Sequence, residues 1–94
     1  MKQYTSKAQT KHLITLGFPK PQSICLSSDN DVIVRDAYSI GELISFLVNP
    51  TIEDLAEVYR VEYDGADKQF LEKELIDALY LSCVDIKMKG VIEL

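Results

Sequence analysis

Few side chains in this sequence are equipped for chemistry. His12 is the only histidine. An imidazole serves as a general base near neutral pH only beside a nucleophile it can deprotonate. Cys25 and Cys83 are the two thiols, and either would complete a Cys–His pair. Neither has the electropositive surroundings that turn a thiol into a thiolate. Each sits among apolar residues and reads as a reduced core thiol. Asp29-Asn30-Asp31 opens like a cation loop. An EF-hand then needs a ligand at its fifth position, glycine at the sixth and glutamate at the twelfth. Those positions hold Ile33, Val34 and Ile40, so a hairpin turn is the better reading.

Glu53, Asp54 and Glu57 cluster, as do Glu72 and Glu74. Paired carboxylates do acid–base work when one is desolvated, and clustered surface acids read as a solvated face. There is no HExxH, no CxxC and no glycine-rich phosphate cradle. No catalytic residue, metal ligand or cofactor is expected, and the chain reads as a non-enzyme.

Two sets of residues suit contacts with macromolecules. Tyr59, Tyr63 and Tyr38 offer apolar area with a hydroxyl, which favours protein contacts on an exposed strand face. The alternative is half-buried packing against a long helix. Lys7 and Lys11 stand one helical turn apart and would share a face able to meet an anion such as a phosphate backbone. The wider charge balance weighs against nucleic acid. Of 94 residues, 15 are acidic and 10 basic, for a net charge of −5. Residues 1–28 carry four lysines and no acid; residues 29–94 carry six basic and fifteen acidic residues. The lysines of the first segment are expected to lie against the acidic remainder.

The elements that must position these groups are legible from caps and periods. Ser6-Lys7-Ala8-Gln9 fits a capping box. Gly17-Phe18 fits a Schellman ending, and Pro19 and Pro21 prevent continuation. These predict a helix near 6–16. Alternation of Ile24 and Leu26, a turn composition at 28–31 and the β-branched run Val32-Ile33-Val34 predict a hairpin near 23–27 and 31–36. Ser39-Ile40-Gly41-Glu42 is a second capping box, followed by Leu43, Ile44, Leu47 and Val48 at helical spacing. Asn49-Pro50 ends that helix near 48.

Residues 51–60 fit either period. A helical turn at 51–56 before a strand at 57–64 is the expectation, with Asp64-Gly65 closing it. From Asp67 to Lys89, Leu71, Leu75, Ile76, Leu79, Cys83 and Ile86 recur at helical spacing. Acids gather early and lysines late, which suits the helix dipole, and Gly90 is the expected stop. The whole reads as one α+β domain over 1–94: three helices packed on a small, mainly antiparallel sheet, with the long C-terminal helix central. Its stripe, with Ile40, Leu43, Ile44, Leu47, Ile33, Val61 and Leu13, is the expected core. No run of 18 apolar residues exists, so no membrane span is expected. The polar start has no apolar signal region. Cytoplasmic location is the default.

Ala37-Tyr38-Ser39-Ile40-Gly41-Glu42-Leu43-Ile44, Lys73-Glu74-Leu75-Ile76-Asp77-Ala78-Leu79-Tyr80 and Lys89-Gly90-Val91-Ile92, with Leu16-Gly17-Phe18, resemble a group of small uncharacterised proteins. These are encoded in gut-bacterial genomes and their phages or mobile elements. The shared positions are helix caps and core residues. The resemblance therefore implies a fold and a phage-related setting, and brings no catalytic residues. The function expected is that of an accessory protein binding another protein, or a second copy of itself as a homodimer. The alternative is a nucleic-acid-associated protein using its basic first helix.

Overall fold

The computed structural model describes residues 3–21 and 37–89, and the backbone of 24–26 and 33–35. The elements run α1 (Lys7–Thr15), β1 (Ile24–Leu26), β2 (Ile33–Arg35), α2 (Ile40–Ser45), β3 (Thr51–Asp54), β4 (Tyr59–Glu62), β5 (Phe70–Glu72) and α3 (Leu75–Met88). β1 and β2 pair antiparallel as a two-stranded ribbon, Cys25 opposite Val34. β3, β4 and β5 form an antiparallel sheet with β4 in the middle. α3 packs on β4 and β5 and also touches α1 and α2. This is the α+β arrangement expected, with the C-terminal helix at its centre.

Both capping boxes form. The Gln9 N–H donates to Ser6 Oγ at 3.1 Å, and the Ser6 N–H donates to Gln9 Oε1 at 2.9 Å. The Glu42 N–H donates to Ser39 Oγ at 3.2 Å, and the Ser39 N–H to Glu42 Oε1 at 3.1 Å. Each box satisfies two amides that a helix start leaves open. The Schellman ending of α1 forms too. The Phe18 N–H reaches Leu13 O at 3.1 Å and the Gly17 N–H reaches Ile14 O at 3.0 Å. Gly17 takes the φ of +103° this ending requires. Phe18 is thereby turned into the core.

The two helix starts are stitched side by side. Tyr4 and Ser39 form an isolated antiparallel bridge. The Thr5 N–H donates to Tyr38 O at 3.0 Å, and the Tyr38 N–H donates to Thr5 Oγ1 at 3.0 Å. Thr5 and Thr10 are buried with their hydroxyls 2.6 Å apart, and Thr10 also donates to Ser6 O. These groups meet the demand that buried polar atoms be paired.

Leu13, Leu43, Leu47, Val61, Ile76, Leu79, Cys83 and Ile86 are buried as expected, with Ile40, Ile44 and Leu75 packed at the margin. Burying each large aliphatic contributes about 1.5–3 kcal/mol. Phe18, Tyr38, Tyr63 and Phe70 belong to the same core.

Four expectations need correction. Residues 51–54 are strand, not a helical turn; β-branched Thr51 and Ile52 pair with Glu62 and Val61 across the hairpin. The long helix begins at Leu75, not near Asp67, because 70–72 add a third strand to β4. Leu71, expected in the helix stripe, lies on the sheet's outer side and is 49% exposed. α2 is also shorter than its apolar spacing suggests, with its C-cap at Phe46. The side chains of Cys25 and Ile33, the turn at 28–31 and the stop at Gly90 lie outside the described residues.

Candidate functional site

No cysteine–histidine pair forms with Cys83. Its thiol is fully buried and donates weakly to Leu43 O at 3.5 Å. Burial pushes its pKa up to about 12, so it stays a protonated thiol and a poor nucleophile. His12 stands on the exposed side of the α1–α3 seam, where its Nδ1 hydrogen-bonds the Tyr80 hydroxyl. The two rings meet edge to face with centroids 5.8 Å apart. Nearby, Gln9 Nε2 donates to Asp77 Oδ1 at 2.8 Å. Together these contacts dock α1 on α3.

The three tyrosines do not form a contact surface. Tyr38 is 0% exposed and Tyr63 4% exposed. Tyr38 packs edge to face on Phe46, with centroids 5.8 Å apart, and its hydroxyl donates to Pro19 O. Burial, with Glu42 and Cys83 nearby, pushes that hydroxyl up to about 12. Tyr63 donates to Asp85 Oδ2, and burial followed by that bond also raises it to about 12. Asp85 shares Lys89 with Asp67, at Nζ–O distances of 3.2 and 2.7 Å. This cluster ties the 64–67 turn to the last turn of α3. Tyr59 is half-buried on the sheet's inner side, opposite Asp54 and Glu72. The packing alternative is the one found for the strand tyrosines: by strand parity Tyr59, Val61 and Tyr63 point the same way, toward α3. Tyr38 lies outside the sheet and is buried against Phe46 and Pro19.

Lys7 and Lys11 are both exposed on α1. One helical turn apart, they share an exposed strip of the helix that borders the buried side carrying Thr10 and Leu13.

The accessible chemistry is at the far edge of the sheet. All four residues of β3 are exposed, and no described strand lies beyond it. The Leu55 N–H donates to Val58 O at 2.9 Å. In an antiparallel ladder such inward-facing residues alternate with outward-facing ones. Thr51 and Glu53 therefore bond toward β4, and the main-chain groups of Ile52 and Asp54 point away from the sheet. On the outer side Arg60 pairs with Glu53 directly across the strands and with Glu62 at 2.7 Å. These side-chain contacts are worth little as stability, but they hold β3 flat on β4. Leu55 (46% exposed) and Leu71 flank them.

The hairpin tip is tight. The Glu57 N–H donates to Leu55 O at 3.0 Å around Ala56, whose φ is +75°. The Asp54 carboxylate accepts the Ala56 N–H at 2.9 Å and steadies the tip. A side chain at this φ costs on the order of 1 kcal/mol. Ala56→Gly is expected to raise stability by about 0.5–1 kcal/mol, measured by urea unfolding.

The fold and this surface define a small α+β protein with an open sheet edge and no assembled catalytic set among the described residues. No protein-family model, no curated protein and no solved structure matches the chain. Among the described residues no helix is long and apolar enough to cross a membrane. Sequence reading missed the edge strand because Ile52, Leu55, Ala56 and Tyr59 also fit a helical period. The available signal was Thr51-Ile52 directly after Pro50.

Proposed function

We propose that this is a non-enzymatic accessory protein that works by binding another protein. The observation that carries the reading is β3, an edge strand exposed along its full length. Its outer side is flanked by Leu55 and Leu71. An edge of this kind offers main-chain hydrogen bonds to a partner strand. A phage or mobile-element setting is supported by the resemblance of the helix caps and core positions. The free, buried thiol of Cys83 suits a reducing cytoplasm.

The test compares the wild type with a Leu55→Lys, Leu71→Lys double variant. Both are cross-linked in lysate of the source cells, and light scattering follows a dilution series. The reading expects a defined complex, hetero- or homomeric, that the variant loses. A monomer that captures the same proteins as its variant would sink it.

A nucleic-acid role is the second reading, favoured by Lys7 and Lys11 sharing an exposed helix face. Two cations would give a salt slope of only about −2 in log–log units. Fluorescence anisotropy with duplex DNA at low salt decides it, since no binding there ends the reading.

A further inference from the structure

We infer that the β3 edge takes an extended, lysine- or arginine-rich segment of another protein as an added strand. This rests on the protein-binding reading above and names the partner's chemistry. Residues 51–72 hold seven acids (Glu53, Asp54, Glu57, Glu62, Asp64, Asp67, Glu72) against Arg60 and Lys68. Their net −5 equals that of the whole chain, so the remainder is neutral overall. The excess acid is therefore concentrated on the sheet unit that ends in the open edge. Glu53 and Glu62 are engaged with Arg60, and Asp67 with Lys89. Asp54 and Glu57, at the exposed tip, have no comparable cation among the described contacts.

The arrangement selects among occupants. A second copy pairing edge to edge would set Glu53, Asp54 and Glu57 of each chain near those of the other. Like charges at that spacing oppose association. An acidic strand meets the same field. A basic strand gains from it and finds outward N–H and C=O groups at both Ile52 and Asp54. Pro50, which has no N–H, marks where pairing must stop at the other end. The segment engaged is thus short, and its side chains alternate between the inner margin at Ile52 and the outer side at Leu55 and Glu53.

The probe is a labelled ten-residue peptide alternating valine and lysine. One control replaces lysine with glutamate. A second keeps the lysines of the probe but carries central prolines in place of two of its valines. Fluorescence anisotropy at low salt is expected to show binding of the Val–Lys peptide alone, weakening about tenfold between 50 and 200 mM salt. Hydrogen exchange should slow at the Ile52 and Asp54 amides. Ile52→Pro removes one outward donor at an edge position that tolerates proline. Asp54→Lys with Glu57→Lys keeps the main chain and inverts the charge, so it carries the test if the proline variant does not fold. Both are expected to lose at least about tenfold in affinity, and the charge-inverted one to accept the glutamate peptide.

Equal binding of the proline-interrupted peptide, or slowed exchange elsewhere than β3, would overturn the strand model. Absence of binding to all three peptides would overturn it as well. The broader reading fails separately, through the lysate and light-scattering experiment.

Discussion

Replacing Tyr38 by alanine is expected to destabilise the fold by about 3–5 kcal/mol, among the largest effects of any single truncation here. The ring is fully buried and stacks edge to face on Phe46, which in turn lies 5.0 Å from Phe18. The hydroxyl holds Pro19 O, and the backbone on either side of the ring pairs with Thr5. One side chain therefore joins the exit of α1 to the entry of α2. A domain of this size has about 5–10 kcal/mol in total, so the alanine variant should melt about 15–30 °C lower. Tyr38→Phe leaves the ring and removes one buried hydrogen bond, at about 1–2 kcal/mol. Thermal unfolding by circular dichroism checks both. A Tyr38→Ala protein melting within a few degrees of the wild type would show that the ring is not a core element.

Alkaline pH is expected to unfold the protein steeply. Burial raises Cys83 from 9.0 to about 12, and raises Tyr38 and Tyr63 from 10.0 to about 12. Above pH 9 the unfolded chain sheds these protons while the folded chain keeps them. The unfolded state then binds fewer protons, so stability falls as pH rises. The contribution is fully present below pH 9 and is lost through the window from 9 to 12. Each group ionised only in the unfolded chain steepens the fall by about 1.4 kcal/mol per pH unit. Urea midpoints taken from pH 8 to 11 should drop progressively. Cys83→Ala is expected to be less stable at pH 8 yet show a shallower fall between pH 9 and 10, where its thiol leads. A flat profile across the window would contradict the burial of these groups.

The parts of this fold legible in the sequence are those whose signal is local. Ser6 with Gln9, Ser39 with Glu42, and Gly17 with Phe18 act within one turn of backbone, and all three form as read. The boundary between β5 and α3 carries no such mark. Glu74 occupies the N-cap of α3 without a side-chain cap bond, so the apolar residues 70, 71, 75 and 76 run on as one helical series. β3 was hidden for a related reason, since its four residues are too few to separate a period of two from one of 3.6. The fate of the tyrosines depended on which side of the sheet α3 covers. That is a matter of tertiary packing, to which strand alternation alone is blind. Which strand forms the open edge was therefore out of view, because an edge is defined by what does not pair with it.

The docking of α1 on α3 sets an order of events during synthesis. Gln9 meets Asp77, and His12 meets Tyr80, each across 68 positions of chain. α1 emerges from the ribosome long before its partners have been translated. In that interval a nine-residue helix has its capping box, its Schellman turn and, once residues 38 and 39 are made, the stitching of Tyr4 and Thr5 to the start of α2; isolated helices of that length are marginal in water. Its apolar side, centred on Leu13, stays wetted until α3 follows. α1 thus gains its contacts with α3 only after that helix has been made, and until then the nascent chain presents the lysine-bearing side of α1 without them.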